Sequence, residues 1–215
     1  MPPIYQNRRA AAYILAGQLK KYQGQKSTLV MAVPRGGAEI GAVLAQELAL
    51  PLDIIAIKKI SAPRDPEYAI GAIDSDGDIL LNKGEALGAE IGMDYIKQEK
   101  IGLIKEIKRR LAVYRGGTAY DLAGKTIILA DDGIATGFTT EAAINFLKKY
   151  NPKKIIVATP VAPPDTITKL KKRANEVVCP LQPPYFGAIG AFYQDFPQLT
   201  DEEVINYLNR RKKIN

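Results

Sequence analysis

Five short, apolar and largely β-branched runs recur along the chain with helix-patterned stretches between them, the alternation expected of a parallel sheet flanked by helices. The runs are Leu29–Val33, Ile54–Lys58, Thr126–Ala130, Ile155–Thr159 and Glu176–Cys179. Helical patterns follow three of them, at Ala38–Leu48, Thr140–Tyr150 and Asp165–Arg173. Ala69–Ile73 and Ile79–Leu81 around the turn DSDGD predict a hairpin. Met93–Tyr114 predicts a long helix, with Ile96, Leu103, Ile104, Ile107 and Leu111 as its apolar stripe. The amphipathic N-terminus predicts a first surface helix, and Thr200 with Glu203 forms a capping box that opens the last one. With 215 residues and 47% apolar composition, these elements amount to one α/β domain over 1–215. Its sheet is open and mostly parallel, flanked by helices, and a small hood is expected from roughly 1–20 and 180–200.

Two absences narrow the chemistry. The chain has no histidine, which excludes Ser-His-Asp and Cys-His catalysis as well as histidine-held zinc or iron. Its one cysteine, Cys179, lies in the strand pattern EVVCP and reads as a buried small hydrophobe. Any metal must therefore be held by oxygens, which points to Mg2+ carried on a phosphate substrate with no direct protein site. The formal charge is +7, concentrated in Lys97, Lys100, Lys105, Lys108, Arg109, Arg110 and Arg115 and in the tail Arg210, Arg211, Lys212 and Lys213. Such runs read as a solvated helix face and a terminus in preference to a nucleic-acid surface. No apolar run approaches the roughly 20 residues that span a bilayer, so a cytoplasmic protein is expected.

The richest local signal is IILADDGIATGFTT, Ile127–Thr140. A buried strand ends in Asp131 and Asp132, and a loop of small residues with Gly133 and Gly137 then opens a helix carrying Thr136, Thr139 and Thr140. Open α/β sheets bind ligands at the carboxyl ends of their strands. Free N–H groups at a helix N-terminus hold a phosphate, and glycine allows the backbone to come close. Carboxylates beside a phosphate loop would repel the phosphate unless they face another part of the ligand. A ribose 5-phosphate meets that condition, because its 2,3-diol lies away from the phosphate and suits ionised acceptors. A Walker loop is excluded, since Ala119 occupies the glycine position in GTAYDLAGKT.

This segment resembles the signature of the type I phosphoribosyltransferases: an apolar strand, two acids, small residues, Thr-Gly and Thr. The resemblance implies that Asp131 and Asp132 hold the ribose hydroxyls of phosphoribosyl diphosphate (PRPP). It implies that Gly133, Ile134, Ala135, Thr136, Gly137, Thr139 and Thr140 wrap the 5-phosphate. VPRGG, Val33–Gly37, then corresponds to the family's pyrophosphate loop, often of unusual peptide geometry, with Pro34, Arg35, Gly36 and Gly37 as the cradle. Lys58 and Lys59, expected at a strand end, resemble the family's basic pair near pyrophosphate. SAPRDPEYAIG, Ser61–Gly71, matches the position of its closing active-site loop, with Arg64, Glu67 and Tyr68 as contacts. Arg35, Lys58, Asp131 and Asp132 are the catalytic candidates.

The order VPRGG, PEYAIGA, YRGG, IILADDGIATG, VAPP and FYQDFPQLTDEEV is similar to a group of stand-alone bacterial phosphoribosyltransferases of unidentified acceptor. The implied reaction transfers phosphoribosyl from PRPP to an acceptor, expected to be a nitrogenous base, with release of pyrophosphate and dependence on Mg2+. The alternative is a PRPP-sensing regulator that binds nucleic acid without catalysis. Relatives are commonly dimers, so a homodimer is expected. Ala135 stands where members using 6-oxopurines carry a third acid, which disfavours hypoxanthine and guanine. Tyr185, Phe186, Phe192 and Tyr193 either stack on an acceptor base or simply pack the hood.

Overall fold

The computed structural model describes residues 4–63, 65–81, 92–117 and 119–209, with 65–68 described as backbone alone. Its centre is a five-stranded parallel sheet of β1 (Thr28–Ala32), β2 (Leu52–Ile54), β6 (Thr126–Ala130), β7 (Lys154–Ala158) and β8 (Glu176–Val178), in the order β2-β1-β6-β7-β8. β1 and β6 are buried at every position. That follows from their unbroken apolar runs, since helices cover both faces of the sheet. On one face β1 and β6 contribute Val30, Ile128 and Ala130, which pack with α1 (Arg8–Gln18) and α2 (Gly36–Glu47). On the other, Leu29, Met31, Ile127 and Leu129 pack with residues of α4 (Phe138–Lys148) and α5 (Pro164–Lys171). Gly41 lets α2 lie close on the sheet, where a Cβ would come within 2.7 Å of the Ala32 side chain.

A second, antiparallel sheet joins β3 (Lys58–Ala62), β4 (Asp65–Ile73) and β5 (Ile79–Leu81) in sequence order. The long helix α3 (Met93–Arg115) covers it, burying Ile96 and Ile107 and ending at Gly116 in the left-handed conformation. The last helix, α6 (Asp201–Asn209), follows the capping box, in which the Glu203 N–H donates to Thr200 Oγ1 and the Thr200 N–H to Glu203 Oε2. At the other end of the chain, Asn7 caps α1 by accepting from the Ala10 N–H. The preceding segment pairs with residues 192–195 through the Ile4 and Tyr5 N–H groups, which donate to Phe192 O.

Two expectations need correction. The run Ile54–Lys58 is not one strand: Ile54 ends β2, Lys58 begins β3, and residues 55–57 cross from one sheet to the other. Ile55, Ala56 and Ile57 are all buried, so an apolar crossing has the same sequence pattern as a buried strand. Likewise, Ser61–Gly71 is no free loop, because most of it lies in β3 and β4. Its ladder shifts register around Ser61, which pairs with Ala69 while Ala62 pairs with Asp65, leaving residues 66–68 as extra chain on β4. A bulge of this kind accommodates Pro66 inside a strand. Arg64 and the basic tail 210–215 lie outside the described residues, as do the side chains of Glu67 and Tyr68.

Candidate active site

The strand order reverses between β1 and β6. From β1 the chain passes through α2 to β2 on one side, and from β6 through α4 to β7 on the other. The two outgoing loops therefore diverge and leave a crevice at the carboxyl ends of adjacent strands, the usual ligand position in open α/β sheets. A cavity of about 350 Å³ lies there, lined by residues 33–36 on one side and residues 131–140 on the other, with Lys59, Ala69 and Ile189 at its edge.

Both loops end in bare helix N-termini. The peptide bond between Pro34 and Arg35 is cis, and Arg35 precedes α2 without a side-chain cap. Gly137, at φ +88°, precedes α4 and is likewise uncapped by any side chain. Orphan N–H groups and two helix dipoles thus converge on one cavity, as anion binding at two points requires. The second loop is held from behind: the Ile134 N–H donates to Val161 O at 2.9 Å and Thr166 Oγ1 donates to Ala135 O at 2.6 Å. Thr136 is exposed, Thr139 half-buried and Thr140 buried, all three lining the cavity.

Asp131 and Asp132 line the same cavity, close to Gly36 and Gly37. Asp131 accepts from the Asp132 N–H through Oδ1, and Asp132 Oδ2 accepts from Arg8 Nε at 2.7 Å. Burial, reinforced by the charge of Asp132, pushes the Asp131 carboxyl well above the usual aspartate range. Burial also raises Asp132, against which Arg8 acts as the counter-charge. Glycines make this closeness possible. A Cβ on Gly36 would stand 1.7 Å from Asp132 Oδ2, and one on Gly37 would press on Ala130 O and Asp131 Cα. A Cβ on Gly133 would overlap Ile189 at 2.3 Å.

The basic pair separates. Successive strand residues face opposite ways, and Lys59 lines the cavity whereas Lys58 does not. Burial lowers the Lys58 pKa, as does the charge of Arg110 and, more weakly, Arg35, while Glu106 opposes the shift. Gly37 also stays off the cavity wall and serves the packing of α2 on β6. Cys179 is buried, and burial raises its thiol to about 12, far from nucleophilic use.

The hood aromatics face one another. Tyr193 stacks on Phe196 at 4.7 Å between centroids, Phe186 lies 5.2 Å from Phe192, and the Tyr193 hydroxyl donates to Asp132 O. Phe192 and Tyr193 are buried in this cluster, whereas Tyr185 is exposed. Two residues of the site escaped sequence reading. Ile189 lines the cavity from a short 3-10 turn at Ile189–Phe192, and Arg8 reaches Asp132 from a helix 124 residues away in the chain. Neither carries a motif: Arg8 is one of two adjacent arginines opening the first helix, and nothing local singles it out.

Part of the basic surface is internally neutralised. Arg109 and Arg110 pair with Glu106, and Arg109 also reaches Asp201 of α6. No helix among the described residues is long and apolar enough to cross a membrane.

The profile of the phosphoribosyl transferase domain matches residues 2–195. A candidate phosphoribosyl transferase of Mycobacterium tuberculosis H37Rv is 34% identical over 211 residues, covering 96% of this chain and 47% of that protein. The chain thus spans about half the length of that curated relative. Among solved structures, TT1426 from Thermus thermophilus is similar along 98% of this chain and 99% of its own, with 33% identity and a TM-score of 0.78. AQ2163 from Aquifex aeolicus shares the fold at a TM-score of 0.51 and 13% identity, over 94% of this chain and 84% of its own.

Proposed function

The chain belongs to the phosphoribosyl transferase family, and we propose that it transfers the phosphoribosyl group of PRPP to a nitrogenous acceptor with release of pyrophosphate. The observation that carries this reading is the crevice between β1 and β6, where two uncapped helix N-termini flank the buried Asp132 and the half-buried Asp131. PRPP presents the matching pattern of a 5-phosphate, a 2,3-diol and a diphosphate.

On this reading residues 133–140 hold the 5-phosphate, Asp131 and Asp132 accept from the ribose hydroxyls, and Arg35 with Gly36 cradles the diphosphate. A nitrogen of the acceptor forms a bond to the anomeric carbon as the bond to pyrophosphate breaks, through a transition state of oxocarbenium character. The two anchors restrict the sugar to the reactive geometry, and the carboxylates lie near the developing positive charge. Arg35 and Lys59 offset charge gathering on the departing oxygens. The donors this chain offers a metal are oxygens, since it lacks histidine and its cysteine is buried, and that set suits magnesium. Among the described residues no group of three or more acidic, histidine or cysteine side chains is arranged to hold an ion. As the family resemblance implies, the ion would be carried on the diphosphate oxygens and would supply further charge neutralisation there. Ala135, exposed on the cavity wall, offers no acid to manage a proton on a 6-oxopurine, so hypoxanthine and guanine are disfavoured. The family resemblance further assigns a cytoplasmic homodimer, which sedimentation analysis would check.

Calorimetry with Mg-PRPP tests the donor site. Wild type should bind, and the double variant Asp131→Ala/Asp132→Ala should lose most of that affinity; equal affinities would sink the reading. Pyrophosphate release across a panel of bases and amines then identifies the acceptor.

A further inference from the structure

Arg8 is an unusual neighbour for a ligand-binding carboxylate. Its side chain is 5% exposed and that of Asp132 is 13% exposed, so the pair is held out of water. Two nitrogens and the flat face of the guanidinium are engaged. Nε donates to Asp132 Oδ2, Nη1 donates to Pro197 O at 2.8 Å, and the planar group lies 3.7 Å over the Phe196 ring. The backbone of Asp132 is held too, because its carbonyl accepts from the Tyr193 hydroxyl. Three segments distant in sequence, at residues 8, 132 and 193–197, therefore meet at a single carboxylate.

We infer that Arg8 is a positioning residue that aims Asp132 at the sugar diol, so that the hood and the diol end of the site form one unit. The inference rests on the reading of this crevice as a PRPP site and deepens it. A fork with one N–H on the carboxylate and another on a fixed carbonyl sets the carboxylate plane as well as its charge, which a lysine ammonium cannot do. One oxygen of Asp132 is committed to Arg8, and the residue lines the cavity beside Gly36. Asp131 then meets the second hydroxyl. The groups facing Asp132 are Arg8 from α1, Asp131 from its own loop, Tyr193 from the hood and Glu39 from α2, whose charge interacts with both Arg8 and Asp132. Arg8 is the cation paired with Asp132, so its removal leaves the orientation of Asp132 unsupported.

The test separates the two ends of the sugar phosphate. Affinities are measured for 1,4-anhydroribitol 5-phosphate, which carries the diol, and for tetrahydrofurfuryl phosphate, which has the same ring and phosphate without it. Wild type should prefer the diol by on the order of tenfold, the loss of hydrogen bonds to a charged acceptor. Arg8→Gln should bring that ratio close to one while leaving the affinity for tetrahydrofurfuryl phosphate unchanged. Should Arg8→Gln fail to fold, Arg8→Lys serves instead, and its ratio should fall severalfold because one ammonium cannot replace the fork. A wild-type ratio retained in the variant overturns the inference and leaves the PRPP reading standing. Parallel weakening of both ligands also overturns it, since Arg8 would then support the fold alone. No diol preference in wild type removes the PRPP reading, and the inference falls with it.

Discussion

The two sheets contribute to the same cavity in different ways. The walls carried by the parallel sheet, residues 33–36 and 131–140, follow strands buried at every position and are braced by bonds such as Ile134 N–H to Val161 O. The wall carried by the antiparallel sheet, Lys59 and Ala69, stands on β3, largely half-buried, and on β4, whose register with β3 shifts. Local opening costs less where fewer apolar groups are buried. The first wall thus suits groups whose positions must be held tightly, and the second suits groups that must admit and release a ligand.

The sharpest way to break this contrast is Gly36→Ala on the rigid wall. The added methyl has no room against Asp132, which Arg8 already pins, so a stability loss of about 2–3 kcal/mol is expected from overpacking. Chemical denaturation would measure it, and a neutral result would mean that the wall yields. Next comes Lys149→Met, which cuts the tie between the regions. Lys149 at the end of α4 reaches Asp74, Asp76 and Asp78 of the β4–β5 turn at 2.8, 3.0 and 2.7 Å. Only Asp74 is buried, so the cost is about 2 kcal/mol, dominated by that one stranded carboxylate. Protection from amide exchange should fall in β4 and β5 more than in β1 and β6.

A smaller effect is expected at the second wall itself. Lys59→Ala should weaken Mg-PRPP binding about tenfold, the equivalent of about 1.4 kcal/mol. Lys58→Ala, off the cavity wall, should change the affinity less than about twofold. Titration of both variants would settle which lysine serves the diphosphate. The mildest change concerns pH. The folded state raises the Asp131 pKa above 3.8, so it binds that proton more tightly than the unfolded chain does. This group's contribution to stability therefore declines as pH rises from 3.8 through the raised value. Asp131→Asn should flatten that part of the profile in urea melts, and an unchanged slope would place the burden on another group.

Much of this organisation was legible in local sequence. The strand Thr126–Ala130 has the expected bounds, the predicted β7 differs from the observed strand by one residue at each end, and the predicted β8 by one residue at its last. The loops after β6 and β1 were legible as strand-to-helix junctions because each compresses strand end, glycines and helix start into a few neighbouring residues. Residues 54–58 were not legible, because burial leaves one composition whether the chain runs straight in a sheet or crosses between two. The segment 61–71 misled through its two prolines, since Pro63 lies in the turn between β3 and β4 and Pro66 in a bulged strand.

The sequence by itself determined the two strand-to-helix junctions that line the cavity, since strand end, glycines and helix start act through neighbours a few residues away. It also determined the class of sheet, through hydrophobic periodicity. Only the tertiary structure decided which of two adjacent lysines faces the cavity and that Arg8 grips Asp132. Those outcomes depend on strand register and on contacts between segments more than a hundred residues apart, and no local pattern records them.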